Sequence, residues 1–171
     1  MAMGAEAAVA AGITEDVLVR GFRYDRLAEV MEYENVDVVE RLEKKLGLGH
    51  DDAELLFKDM LGFLALCGLR ERHARVPLVP PKMIDEAWHH FLLFSEAYAD
   101  FCSRFFGFFL HHQPSTSRTP LRGNGILTTI ALADEIFGDK SKNWSKKWSE
   151  SDTEDCEDCN CNTNCQVCYK N

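Results

Sequence analysis

Between Pro80 and Pro114 the chain gathers the residues best suited to hold a metal ion: His89, His90, His111 and His112, four of its six histidines. Asp85 and His89 stand four residues apart, which sets a carboxylate and an imidazole on one face of a helix. Neutral imidazole and carboxylate suit zinc or ferrous iron, and the carboxylate can either coordinate or orient the ring through its other nitrogen. Asp85, His89, His111 and His112 are therefore the candidate ligands, with zinc or iron as the expected ion. In an extended arm His111 and His112 face opposite sides. One of them would coordinate, and the other would hydrogen-bond Asp85 or Glu96, which lies about two turns beyond His89 on the same expected helix. Trp88 offers a partly dry neighbour that favours neutral imidazole. Tyr98 offers a hydroxyl, and Cys102 a thiol on the Trp88 side, less well placed to bind than the histidines.

Two other chemistries use the same residues. With coordination positions left open, His89, Asp85 and His111 or His112 would form the two-histidine, one-carboxylate site of a mononuclear metalloenzyme. With no ion at all, Asp85, Glu96 and Tyr98 could satisfy buried imidazoles, leaving a polar network inside an interaction or adaptor protein. His90 beside Glu86, His50 before a helix start and His73 among arginines read as solvated side chains.

A second group of candidate ligands lies at the C-terminus. Of seven cysteines, five crowd the last sixteen residues: Cys156, Cys159, Cys161, Cys165 and Cys168. Cys156-x-x-Cys159 and Cys165-x-x-Cys168 have the spacing of thiolate pairs for zinc or Cu(I), and redox exchange is the competing use. The surrounding residues are acidic and polar, too poor in apolar side chains to build a core, so residues 150–171 are expected to be disordered when reduced and metal-free. A protein partner could be met through this tail. Cys67 and Cys102, by contrast, sit in apolar helical patterns, where a free cysteine acts as a small hydrophobe.

The elements that must position the histidines follow from punctuation and periodicity. Pro80-Pro81 opens a helix expected from Lys82 to Phe106, and Gly107 lets the chain reverse into the arm. Ile84, Ala87, Trp88, Phe91, Phe94, Tyr98, Phe101, Cys102 and Phe105 form its apolar sector. Before it, helices are expected from Ile13 to Tyr24, from Asp25 to Leu46, as one helix or as two with a bend across the acidic Glu32–Asp37 stretch, and from Asp51 or Asp52 to Gly68. A last helix spans Ile126–Phe137, and Trp144 and Trp148 could dock the segment after it. No stretch alternates in the manner of a sheet. The expectation is an all-α, irregular bundle of about five helices over residues 13–138. A flexible start (1–12), a Lys/Trp linker (139–149) and the cysteine-rich tail flank it.

A net charge of −9 argues against nucleic acid or an anionic membrane surface as partner. No run of apolar residues is long enough to span a bilayer, and the alanine-rich first dozen residues lack the basic and apolar regions of a secretion signal. Cytoplasmic placement with reduced thiols is the resulting expectation. Gly123-Asn124-Gly125 lacks the strand and spacing of a phosphate-binding loop.

The order Asp85-Glu86-Ala87-Trp88-His89, Phe91, Tyr98-x-x-Phe101-Cys102, Gly107-x-Phe109 and His111-His112-x-Pro114 resembles bacterial glycine-rich domain-containing proteins. More distantly it is similar to the helical segment of the plant glycine-rich domain proteins. The resemblance covers roughly Leu55 to Phe137 and implies a helical fold without assigning an activity. The tail departs from it, carrying Asp, Glu and Asn where those relatives carry glycine.

Overall fold

The computed structural model describes residues 22–70, 78–113, 125–145 and 167–169. Among these are six α-helices: α1 (Tyr24–Met31), α2 (Val36–Leu46), α3 (His50–Gly68), α4 (Lys82–Leu92), α5 (Ser95–Phe105) and α6 (Gly125–Phe137). A short 3-10 turn follows at Lys142–Trp144, and strands β1 (His111–Gln113) and β2 (Val167–Tyr169) complete the described elements. The protein is all-α. The helix expected from Ile13 lies outside the described residues except for its end, as do His73 and Trp148.

α3 is the centre of the bundle because its C-terminal half is buried on every side. Every residue from Met60 to Gly68 is buried, which a helix sustains only when neighbours surround it. α1, α2, α4, α6 and the 3-10 turn all pack against it. Tyr33 closes the adjoining layer, its ring in contact with Phe57, Phe91, Phe101 and Phe105.

The weakly periodic Glu32–Asp37 stretch divides the expected span into two helices, α1 and α2. Asn35 starts α2 by accepting the Val38 N–H on its side-chain oxygen at 3.1 Å. Lys58 of α3 donates to the Met31 and Tyr33 carbonyls at 2.8 and 3.1 Å, satisfying groups that the end of α1 leaves open. A second break was not expected. The helix that the apolar pattern extends from Lys82 to Phe106 stops at Leu92 and restarts at Ser95. Phe94, at φ −90° and ψ 62°, leaves helical geometry there, while its N–H bonds the Phe91 carbonyl at 3.0 Å. The corner turns α5 back so that Tyr98 and Phe101 meet the Phe91 ring.

At the end of α5 the reversal falls on Gly107. Its φ of +78° is left-handed, and its N–H is shared between the Cys102 and Ser103 carbonyls. Gly68 makes the neighbouring approach, since a Cβ there would overlap the Phe106 ring. Residues beyond Gly107 then run back along the bundle, bury Leu110 completely, and enter β1. Within the tail, β2 pairs antiparallel with β1 in the register His111 to Tyr169, His112 to Cys168 and Gln113 to Val167.

After α6 the chain is pinned by a carboxylate. Asp59 of α3 accepts from Ser141 Oγ at 2.5 Å, Asn143 Nδ2 at 2.7 Å and Trp144 Nε1 at 2.8 Å. Trp144 is buried against Phe137, so the expected docking occurs at this tryptophan. No helix among the described residues is long and apolar enough to cross a membrane.

Candidate metal centre

Asp85 lies in the first turn of α4 and His89 one turn later, so the helix itself delivers both to one corner. The third member arrives from the arm. His112 Nε2 stands 3.1 Å from Asp85 Oδ1, and His89 Nδ1 stands 3.6 Å from Asp85 Oδ2. One ligand atom from each of Asp85, His89 and His112 lies within 4.8 Å of the other two. A tetrahedral ion with bonds of about 2.0–2.2 Å spaces its ligand atoms roughly 3.3–3.6 Å apart, so small side-chain adjustments would close these three on one ion.

The environment differs around the cluster. The His112 side chain is 7% exposed and that of Asp85 12%, whereas His89 is 40% exposed. The His112 ring stands edge-on to Trp88 and to His89, each with centroids 4.3 Å apart. One side of the site is thus dry and aromatic, and the other opens through His89 to solvent.

What holds His112 in place is a buried hydrogen-bond chain. Trp88 Nε1 donates to the Tyr98 hydroxyl at 3.0 Å, and that hydroxyl donates to the Leu110 carbonyl at 2.6 Å. Trp88, Tyr98 and Leu110 are all fully buried. The chain ties α4, α5 and the arm together two residues before His112. Burial, with the adjacent Cys102, pushes the Tyr98 hydroxyl well above its ordinary range, so it stays protonated and able to donate. Burial likewise raises the Cys102 thiol, against hydrogen bonds with the Leu110 backbone and Tyr98. Cys102 is a buried free thiol outside the ligand cluster. Cys67, expected to match it as a free buried thiol, is instead disulfide-bonded.

The remaining expected site residues separate cleanly. His111 takes the other side of β1, exposed, with its ring against Phe109 at 4.8 Å; alternation along the strand explains why only His112 enters the site. Glu96 is exposed in the first turn of α5. The corner at Phe94 removes it from the face it would share with His89 on a continuous helix, so it is not a member of the cluster. His90 is not the solvated partner of Glu86: its Nδ1 accepts from Arg41 Nε at 3.2 Å. Burial, and then the Arg41 charge, lower its pKa. His50 stays exposed, with its pKa raised first by its hydrogen bond to Glu43 at 2.7 Å and then by Glu54. Cys156, Cys159, Cys161 and Cys165 lie outside the described residues.

Two clefts elsewhere do not reach the cluster. One, of about 530 Å³, is lined by Val36, Glu40, His50, Glu54 and Leu55 among others; a smaller one, of about 280 Å³, lies between Leu48, Met83 and Asn143.

Fold and site together define the class: an all-helical domain with a carboxylate and two imidazoles gathered where a reversed arm meets a helix. The chain belongs to the UCP032817-like family, whose model matches residues 25–125. This match overturns the resemblance to glycine-rich domain-containing proteins. The motif residues Asp85 to Pro114 all fall within the family's stretch, and the tail, which would have to carry the glycine character, contains no glycine. The family description names no activity or ligand. Comparison with curated proteins and with solved structures returns no match.

Proposed function

We propose that this is a metal-binding helical protein whose Asp85, His89 and His112 hold one divalent transition ion, zinc or ferrous iron. The observation that carries the reading is the convergence of three ligand atoms from α4 and the arm within 4.8 Å. Trp88, Tyr98 and Leu110 give the arm a rigid seat, the kind of support that fixes ligand orientation in metal sites. The tail thiolates are read as a separate, softer site for zinc or Cu(I), on the strength of their spacing.

The test is elemental analysis of protein purified without a histidine tag, on the full chain and on a chain ending at residue 149. His89→Ala and His112→Ala should each abolish the ion retained by the shortened chain and leave tail-bound metal in the full one. Retention of that ion in both variants, or no ion in either chain after exposure to zinc or ferrous iron, would refute the reading.

A second reading is favoured by the exposure of His89. Three protein ligands with one side open to solvent match a two-histidine, one-carboxylate centre with positions free for oxygen or substrate. A ferrous chain that consumes oxygen faster than free iron would support it.

A further inference from the structure

α2 and α3 pack against each other and leave a groove of about 530 Å³ beside their contact. Val39 and Phe57 line it from below and are buried. Of the five large apolar side chains exposed among the described residues, Val36 and Leu55 stand at its lip, 68% and 41% exposed. The same lip carries four carboxylates, Glu34, Glu40, Asp51 and Glu54, against one ammonium, that of Lys58. That ammonium is turned to the Met31 and Tyr33 carbonyls at 2.8 and 3.1 Å. Glu40 also meets Lys44, and Glu54 meets His50, but every partner in these two contacts is more than half exposed. Ion pairs so solvated are worth little and yield readily to a better partner.

An apolar floor inside an acidic rim is complementary to an apolar side chain flanked by cations. Nucleic acid and other anions are turned away by the same rim. Grooves between helices take peptides in this way, an apolar anchor supplying affinity and charged neighbours fixing the register. We infer that the groove between α2 and α3 is a docking site for a basic peptide segment of another protein. The segment seats a leucine, methionine or aromatic side chain between Val36 and Leu55 and sets lysine or arginine against Glu34 and Glu54. Asp85, His89 and His112 do not line this groove, so the inference stands or falls apart from the metal reading.

The probe is a random peptide library displayed on phage and selected against the full-length chain. Selected peptides are then synthesised with a fluorescent label and titrated by anisotropy. They are expected to carry one large apolar residue flanked by lysine or arginine. Leu55→Ser, and Glu34→Lys combined with Glu54→Lys, should each weaken binding by at least about tenfold. Added salt should weaken it as well. All three side chains are exposed, so circular dichroism should show the helices unchanged. Amide shifts in the unaltered chain on peptide addition should fall on residues 34–40 and 50–58. Selection of acidic or uncharged peptides, or of none, overturns the inference, as does a basic peptide that binds both variants undiminished. Shifts confined to another face overturn it too. So does a concentration-dependent dimer that covers Val36 and Leu55, because the occupant is then a second copy of this chain.

Discussion

Changing Tyr98 to Phe removes a single oxygen and leaves the ring that packs on Phe91 and Phe109. No cavity larger than the hydroxyl is created, so the effect isolates the hydroxyl's hydrogen bonds, those with Trp88 and Leu110 and the weaker one with the Cys102 thiol. The Trp88 indole N–H loses its acceptor at 3.0 Å, and the Leu110 carbonyl loses its donor at 2.6 Å. Both groups are fully buried, with water denied as a replacement. Leaving a buried donor or acceptor unsatisfied costs about 1–3 kcal/mol each. Partial relaxation and the easier burial of Phe place the expected loss at about 2–4 kcal/mol, a large part of the roughly 5–15 kcal/mol that stabilises a domain. Urea unfolding at unchanged m reads this directly. Tyr33→Phe is the control: its hydroxyl only accepts from Asn35 Nδ2 at 3.3 Å in a partly buried setting, and about 0.5–1 kcal/mol is expected. Because the lost bond is the one that seats the arm, the metal-binding proposal adds a second expectation: affinity at Asp85, His89 and His112 should fall by about 10–100-fold. A Tyr98→Phe loss below about 1 kcal/mol, matching the control, would show that the relay does not hold the arm.

The carboxylate that pins the Trp144 segment gives another expectation. Asp59→Ala strands three donors, one of them the buried Trp144 N–H, and should cost about 2–3 kcal/mol while raising amide exchange across residues 141–145; unchanged exchange there would refute the pinning role. The two bundle histidines should titrate in opposite directions by NMR. His50, raised by Glu43 and Glu54, adds stability that is present at low pH and lost as pH rises through its folded pKa. His90, lowered by burial and Arg41, favours folding at higher pH and withdraws that support as pH falls through its folded pKa. Arg41→Gln should move the His90 titration upward, and an unmoved curve would count against the pairing.

Much of this fold is legible in the sequence, and what is not has identifiable physical reasons. Gly107 announces the reversal, because few other residues accept a left-handed turn there. The alternation of His111 and His112 announces that one of them turns away from the site. The corner at Leu93 and Phe94 carries no such mark. Neither proline nor glycine interrupts that stretch, and the apolar spacing runs through it, so helical periodicity alone continues where tertiary packing of Phe91, Tyr98 and Phe101 breaks it. The same unbroken periodicity puts Glu96 on the His89 face in sequence, where the corner takes it away. Asp59 left a signal that could have been used: an acidic residue inside the apolar run of α3 must find donors, and Ser141, Asn143 and Trp144 are those donors.

The division between core and site also bears on what an ion would do here. Small metal domains fold only when loaded, because they lack a core of their own. This chain surrounds α3 with buried Leu, Phe and Met side chains from several helices, so the bundle does not depend on an ion for its apolar contacts. The three candidate ligands sit at its margin, two on a helix fixed by that core and one on the arm beyond Gly107. An ion would therefore add one more tie between α4 and the arm, beside the tie that Tyr98 already makes to Leu110. Both act on the same short stretch of backbone, so each should strengthen the other: a seated arm presents His112 already aimed, and a bound ion keeps the Leu110 carbonyl within reach of Tyr98. On the proposed metal-binding reading, such coupling would make the arm, and not the helices, the part of the molecule whose position reports whether the site is filled.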